Sequence, residues 1–111
     1  MIQPAVDSDA NLAELVRRLA EHFKPRRIYL FGSRARGDHG PDSDYDLLVL
    51  VDGIREPDQR LSRQAYKLAW ELGTSADILV WPFDLFERRR HLRASLPGTV
   101  LAEGKLLYDA A

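Results

Sequence analysis

The sequence contains no cysteine, which excludes disulfide bonds and metal sites built on thiolates. It has no apolar run approaching the ~20 residues that span a bilayer, and Met1–Asp7 lacks the charged and apolar stretches of a secretory signal. The net charge is only −1, so the chain as a whole gives little electrostatic reason to bind nucleic acid. We therefore expect a cytoplasmic protein that neither contacts a membrane nor binds nucleic acid directly.

What is present is the composition of an ordinary globular protein, with 45% hydrophobic and 30% charged residues. A length of 111 residues predicts a single domain over residues 1–111. The three histidines share no spacing that is typical of a zinc site. Basic residues cluster at Arg88–Arg90 and Arg93, a pattern more typical of a solvated face than of a binding site. The sequence leaves the role of this cluster open.

Apolar spacing and helix-end signals predict the element order α-β-β-α-β-α-α-β, which places the fold in the mixed α/β class. We expect a small mixed sheet flanked by helices. The strand at 45–51 is the most apolar, so we expect it at the centre of the sheet. The predicted helices span 9–23, 58–72, 83–93 and 97–103, with one helical turn at 33–36, and the predicted strands span 28–31, 45–51, 77–81 and 105–108.

Two further expectations concern helix ends and aromatic residues. The first helix has N-cap candidates in Asp7, Ser8 and Asp9, and Pro25 ends it. Aromatic residues at helical or strand spacing usually lie in the core, so we expect most of those in the second half of the chain to be buried. The alternative is that they form an exposed interface. The residues concerned are Trp70, Trp81, Phe83 and Phe86.

The most informative pattern joins a small polar turn to a pair of carboxylates. Gly32 and Ser33 follow an apolar strand, and ten residues separate Ser33 from Asp44, which is followed by Asp46. Alternate residues of a strand point to the same face, so these two carboxylates project together. If the two strands pair antiparallel, the turn lies beside the carboxylates.

The chain connection brings a third carboxylate to the same place. The strand that carries Asp46 leads through a helix into the strand that begins at Asp77. A helical connection is typical of a parallel crossover, whose two strands start at the same edge of the sheet. We therefore expect Asp44, Asp46 and Asp77 to meet at one edge, next to the turn at Gly32.

Three clustered carboxylates repel one another unless cations neutralise them. Mg²⁺ commonly uses one or two protein carboxylates together with substrate phosphate oxygens, and two such ions roughly 3.5–4 Å apart stabilise both oxygens of a displacement. Gly32 permits close approach of a phosphate, and Ser33 offers a hydroxyl. The pattern predicts nucleotidyl transfer with two Mg²⁺ ions, or with Mn²⁺ in their place. Arg34 and Arg36 are candidates for phosphate contact, with solvent exposure as the alternative.

The stretches Leu30–Gly37 and Asp42–Val49 resemble the motif of the minimal nucleotidyltransferases, which belong to the superfamily of DNA polymerase β. The resemblance implies the nucleotidyltransferase fold. It also implies that Asp44 and Asp46 bind Mg²⁺ and that Gly32 and Ser33 hold the triphosphate of ATP. Asp77 would be the third carboxylate, which ligates one metal ion and helps to deprotonate the attacking hydroxyl.

Minimal nucleotidyltransferases of this kind are often paired with an all-helical HEPN ribonuclease in toxin–antitoxin systems. The resemblance implies that this chain is the antitoxin, transfers AMP from ATP to a tyrosine of its HEPN partner and forms a hetero-oligomer with it. The length of the chain, which leaves no room for a second domain to hold an acceptor, agrees with this expectation. Two alternatives stay open: nucleotidyl transfer to a small molecule or an RNA end, and neutralisation of the partner by binding alone.

Overall fold

Residues 9–110 are described by the structure, which is a computed structural model. Four strands form one sheet in the order β3-β2-β1-β4. The predicted antiparallel pairing of β1 with β2 and the parallel crossover from β2 to β3 are confirmed, and β4 joins the other side of β1 as an antiparallel edge strand. The strands are β1 (Arg27–Phe31), β2 (Tyr45–Val51), β3 (Ala76–Pro82) and β4 (Lys105–Asp109).

Five helices occur in the described part of the chain: α1 (Ala10–Phe23), α2 (Gly32–Arg36), α3 (Gln59–Glu71), α4 (Phe83–Arg89) and α5 (Leu96–Glu103). The two longest helices begin in the same way, with an aspartate side chain that accepts a hydrogen bond from the third residue after it. Asp9 caps α1, and Asp58 caps α3. The other cap candidates, Asp7 and Ser8, lie outside the described residues.

Helices cover both faces of the sheet, and alternate side chains of β2 pack into the two apolar layers on either side. Leu47 and Val49 belong to the apolar cluster built with α1 and α3. Leu48 and Leu50 belong to the second cluster, built with α4 and α5 around Phe86. Strand β2 is therefore buried on both faces, as its apolar sequence predicts.

One prediction about the elements is wrong. The helix predicted at 83–93 ends at Arg89, because the chain must turn before α5. The Ser95 side chain holds this turn by donating to the Arg89 carbonyl oxygen and by capping α5 at Gly98. Among the four aromatic residues expected to be mostly buried, Trp70 is the exception: it is 72% exposed, because smaller residues such as Ala65 and Ala69 supply the apolar inner face of α3.

The expected burial holds for the remaining aromatic residues of that group. Phe83 and Phe86 are buried, and Trp81 is half-buried against the same cluster. None of the helices within residues 9–110 combines the length and the apolar character needed to cross a membrane.

Candidate active site

Asp46 and Asp77 lie side by side on neighbouring strands. They are partners in the parallel register of β2 and β3, so their side chains point to the same face of the sheet. Leu48, two residues after Asp46, packs on that face in the cluster of α4 and α5. Beyond these helices the face opens to solvent, where Asp77 is exposed and Asp46 half-buried. The register thus brings both carboxylates to one edge, as the connection predicts; their catalytic roles stay predictions.

Asp44 reaches the same edge from the residue before β2, and a serine holds it there. The Ser75 hydroxyl donates a hydrogen bond to Asp44 Oδ1, and the Tyr45 N–H donates to the Ser75 carbonyl oxygen at 3.1 Å. No local sequence pattern points to Ser75. A signal was available, because a parallel β3 beginning near Asp77 places Ser75 level with Asp44.

The electrostatic environment of Asp46 opposes its ionised form. Burial raises the pKa of the Asp46 carboxyl, and the negative charges of Asp77 and then Asp44 raise it further, while Arg36 acts in the opposite direction. Asp46 is therefore close enough to both Asp77 and Asp44 to be repelled by their charges.

Gly32 lies directly against Asp46, which explains why a glycine stands at this position. In the antiparallel register, Phe31 is the partner of Asp46, so the following residue reaches the same edge. Gly32 has φ +73°, and a Cβ atom there would overlap Asp46 Oδ2 and lie 3.0 Å from Asp46 Cγ. A side chain at this turn would be strained by the backbone conformation and would displace the Asp46 carboxylate.

Ser33 is the second residue of α2 and is half-buried beside this turn. Its carbonyl oxygen accepts hydrogen bonds from the backbone N–H groups of Gly37 and Asp38, at 2.9 and 3.2 Å. The first N–H groups of a helix have no partner inside it. The Gly32–Ser33 turn therefore stays the predicted contact for a nucleotide phosphate.

Arg34 points away from the carboxylates and contacts the loop that precedes β2. Its Nε donates to the Ser43 carbonyl oxygen at 2.8 Å, and its guanidinium carbon lies 4.3 Å from the centre of the Tyr45 ring. Tyr45 points to the face opposite Asp46, where its hydroxyl donates to Asp9. Tyr45 and Asp9 were not predicted as part of the site, because no local sequence pattern links a helix cap to a strand 36 residues away.

Arg36 lies on the same side as the carboxylates but is held by two acidic partners. Its side chain donates to Asp38 at 3.1 Å and to Glu103 at 3.3 Å. The hydrogen bond with Asp38, followed by that with Glu103, raises the pKa of the Arg36 guanidinium. Its charge also lowers the pKa of Asp46, so Arg36 acts on the carboxylates without bonding to them. Phosphate contact by Arg34 or Arg36 stays a prediction.

The carboxylates fit a metal ion that protein and substrate hold together. Across residues 9–110, no group of three or more histidine, aspartate or glutamate side chains is arranged to hold a metal ion. Mg²⁺ commonly takes only one or two protein carboxylates and completes its shell with phosphate oxygens and water. A cation beside Asp46 would relieve the repulsion that raises the pKa of this carboxyl. The hard oxygen donors suit Mg²⁺, but the three carboxylates do not form a complete site by themselves, so Mg²⁺ binding by Asp44, Asp46 and Asp77 stays a prediction.

A small mixed sheet with a glycine turn packed against paired carboxylates defines the class of protein. The chain belongs to the nucleotidyltransferase domain family, whose model matches residues 12–106. The resemblance to nucleotidyltransferases in the sequence is therefore confirmed, and the protein is an enzyme of nucleotidyl transfer.

The proteins similar to this chain include one named as a protein adenylyltransferase and several solved toxin–antitoxin structures. A Methanocaldococcus jannaschii protein named putative protein adenylyltransferase MJ0604 is 30% identical over 105 residues, which cover 93% of this chain and 100% of that protein. A solved toxin–antitoxin structure with AMP-PNP has a TM-score of 0.62 at 26% identity, covering 88% of this chain and 73% of that one. A mutant of the toxin–antitoxin pair MntA–HpeT has a TM-score of 0.60 at 26% identity, covering 87% and 71%.

Proposed function

We propose that this protein is a Mg²⁺-dependent protein adenylyltransferase that acts as an antitoxin. It transfers AMP from ATP to a tyrosine hydroxyl of a helical HEPN-type toxin. The observation that carries the proposal is the parallel register that pairs Asp46 with Asp77, with Gly32 packed against Asp46. The similarity to a protein named as an adenylyltransferase and to toxin–antitoxin structures supports the choice of a protein acceptor.

The proposed reaction divides the site into a donor side and an acceptor side. The acceptor oxygen bonds to the α-phosphorus of ATP, the bond to the β-phosphate oxygen breaks, and pyrophosphate leaves. Gly32 and Ser33 hold the triphosphate, because the glycine lets the backbone approach it closely. Asp77 takes the proton of the acceptor hydroxyl, as the resemblance to the minimal nucleotidyltransferases implies, and its side chain is exposed on the edge strand β3.

Asp44, Asp46 and Asp77 would hold Mg²⁺, which when bound supplies positive charge to the phosphate oxygens. Ser75 keeps Asp44 in place through its hydroxyl. Gly32 has no side chain, which leaves room for the Asp46 carboxylate beside the turn. Ser75 positions the Asp44 carboxylate without touching the substrate. Gly32 also contacts the substrate in this proposal, because its backbone belongs to the turn that holds the triphosphate.

The direct test is transfer of label from α-³²P-ATP to the purified HEPN-type partner in the presence of Mg²⁺. Wild type is expected to label a tyrosine of the partner. The Asp44→Asn/Asp46→Asn variant is expected to lose at least ~1,000-fold in rate, because charge stabilisation at the reacting phosphate is usually the largest contribution to catalysis. Asp42→Asn is the matched control, since Asp42 is an exposed carboxylate of the same loop. Equal labelling by wild type and the double variant would contradict the proposal.

The same variants separate this function from its alternatives. Label that appears on an RNA end or a small molecule, and not on the protein partner, would change the acceptor class. If the Asp44→Asn/Asp46→Asn variant still suppresses the toxin in cells, neutralisation occurs by binding alone. The proposed function predicts that suppression and transfer are lost together.

A further inference from the structure

The outer face of α3 carries two large aromatic side chains that no other element covers. Trp70 is 72% exposed and Tyr66 is 53% exposed. They are one helical turn apart, and their ring centres lie 6.5 Å from each other. Together with Arg63 and Lys67, which are exposed on the same side of the helix, they form a surface that we call the α3 face.

The α3 face is continuous with the carboxylate edge through two cavities. One, of about 280 Å³, runs from Tyr66 and Trp70 to Ser75, the residue that holds Asp44. The other, of about 300 Å³, lies between α3 and the edge strand β3 and runs from Arg63 and Tyr66 to Asp77. A partner that covers the two aromatic rings therefore also reaches the residue predicted to deprotonate the acceptor.

The charge of the α3 face is positive, while the edge beside it is negative. No ion pair occupies Arg63 or Lys67 among residues 9–110. A protein surface with an apolar centre and carboxylates around it would match both the rings and the two cations. A nucleic-acid strand matches less well, because its evenly spaced phosphates would be repelled by Asp77, which lines one cavity, and by Asp44, which lies at the end of the other.

We propose that the α3 face is the docking surface for the protein acceptor, with Tyr66 and Trp70 as its anchors and Arg63 and Lys67 as pairing sites for acidic residues. This inference rests on the proposed function, because it assigns the partner of the same site. Docking along α3 and the open edge of β3 places the acceptor hydroxyl at Asp77. The face thereby selects the partner, while the carboxylate edge performs the transfer.

The test compares Trp70→Ala, Tyr66→Ala and Lys67→Glu with two controls on the opposite side of the sheet, Leu92→Ala and Arg89→Glu. Leu92 is also an exposed apolar side chain, at 48%, and Arg89 is an exposed cation of α4. Dissociation constants for the purified HEPN-type partner and for ATP are measured by calorimetry, and AMP transfer is measured as a function of partner concentration. Circular dichroism verifies that each variant is folded.

Trp70→Ala is expected to weaken partner binding about 30-fold, as removal of an interfacial tryptophan anchor usually does. Tyr66→Ala and Lys67→Glu are expected to weaken it about 10-fold. The KM for the partner should rise by similar factors, with the dissociation constant for ATP unchanged and both controls like wild type.

Three results would overturn the inference. The first is partner affinity that is unchanged in Trp70→Ala. The second is a loss of ATP affinity in that variant, which would make the face part of the nucleotide site. The third is a loss of affinity for a single-stranded RNA probe with unchanged partner affinity. Because binding is measured directly, the inference can hold or fail even if wild type transfers no AMP, which would refute only the proposed function.

Discussion

At the scale of single residues, Asp46 shows how the site is assembled at the expense of stability. Its carboxylate is half-buried, lies against Gly32 and faces the charges of two further carboxylates. A side chain selected only for stability would be neutral at this position. The penalty is the kind expected where a bound cation is part of the working state.

Gly32→Ala tests the contact between the turn and the carboxylate. The variant should lose about 1 kcal/mol of unfolding free energy, because alanine disfavours φ +73°. AMP transfer should fall at least ~100-fold, because the new methyl group displaces Asp46. Stability is measured by urea denaturation and transfer by labelled ATP.

Gly53→Ala provides the matched control for this substitution. Gly53 has a similar φ of +87°, but nothing lies within 4 Å of the position that its Cβ would take. The control should lose similar stability and keep its activity. If Gly53→Ala loses as much activity as Gly32→Ala, backbone strain rather than the Asp46 contact would be responsible.

The pKa of Asp46 gives a stability prediction with a defined sign. Because burial, Asp77 and Asp44 raise this pKa in the folded state, the folded protein binds more protons than the unfolded chain. The free-energy cost of ionising Asp46 in the folded protein is absent below the pKa of the unfolded chain, near 3.8. This cost grows as the pH rises through the higher pKa of the folded state and is complete above it. Asp46→Asn should therefore raise the melting temperature at pH 7 without divalent ions, and the gain should shrink as the pH falls towards 3.8.

Asp42→Asn is the control for this pH dependence, since Asp42 is exposed in the preceding loop. Its melting temperature should follow that of wild type across the same pH range. Added Mg²⁺ should raise the melting temperature of wild type more than that of Asp46→Asn, because a ligand stabilises the state that binds it. An Asp46→Asn variant that is less stable than wild type at pH 7 would contradict the prediction.

At the scale of elements, the two aspartates that cap α1 and α3 differ in the other hydrogen bonds they accept. Asp9 and Asp58 each accept the capping hydrogen bond at 3.1 Å, but only Asp9 also accepts the hydroxyl of Tyr45. Tyr45 in turn lies under Arg34, which bonds to the loop that delivers Asp44. The start of α1 is thereby connected to the loop of the active site from the opposite face of the sheet.

Asp9→Ala should therefore cost more stability than Asp58→Ala. Loss of either cap is expected to cost about 1 kcal/mol, and loss of the Tyr45 bond adds about 1 kcal/mol for Asp9 alone. Urea denaturation of both variants, with Tyr45→Phe and the double variant Asp9→Ala/Tyr45→Phe, isolates the shared bond. Equal costs for the two caps, with additive effects of Asp9→Ala and Tyr45→Phe, would show that the bond contributes nothing.

The sequence predicts these elements well where a pattern is local. The apolar run at 45–51 is sufficient to predict the central strand β2, and the crossover rule is sufficient to place Asp77 beside Asp46. The contacts that brace the site were not predictable in this way, because Ser75 reaches Asp44 and Tyr45 reaches Asp9 only after the sheet has formed. Trp70 is the exception to the expected burial of the aromatic residues, because it lies outside the inner face of α3, which smaller residues such as Ala65 and Ala69 supply.

At the scale of the whole molecule, the sheet separates two apolar layers that must form together. The layer of α1 and α3 contains the inner residues of β2 on one face, and the layer of α4 and α5 contains those on the other. Phe86 is fully buried in the second layer, where its ring stacks on Tyr29 with centres 5.4 Å apart. Since β2 contributes to both clusters, loss of one layer exposes the strand that carries Asp46 and on which the other layer packs.

Phe86→Ala tests whether the two layers unfold as one unit. The substitution should cost about 3–5 kcal/mol, which lowers the melting temperature by at least ~10 °C for a chain of this size. The two tryptophans report on opposite layers, because Trp81 packs beside α4 while Trp70 lies on α3. If the layers unfold as one unit, the single-tryptophan variants Trp70→Phe and Trp81→Phe should share one midpoint, and after addition of Phe86→Ala they should share one lower midpoint. Leu92→Ala should leave the wild-type midpoint within about 2 °C. Separate midpoints for the two probes would mean that the carboxylate edge can stay folded after α4 and α5 have detached. A shared midpoint would show that the geometry of the site depends on the apolar cluster of α4 and α5, which packs against Leu48.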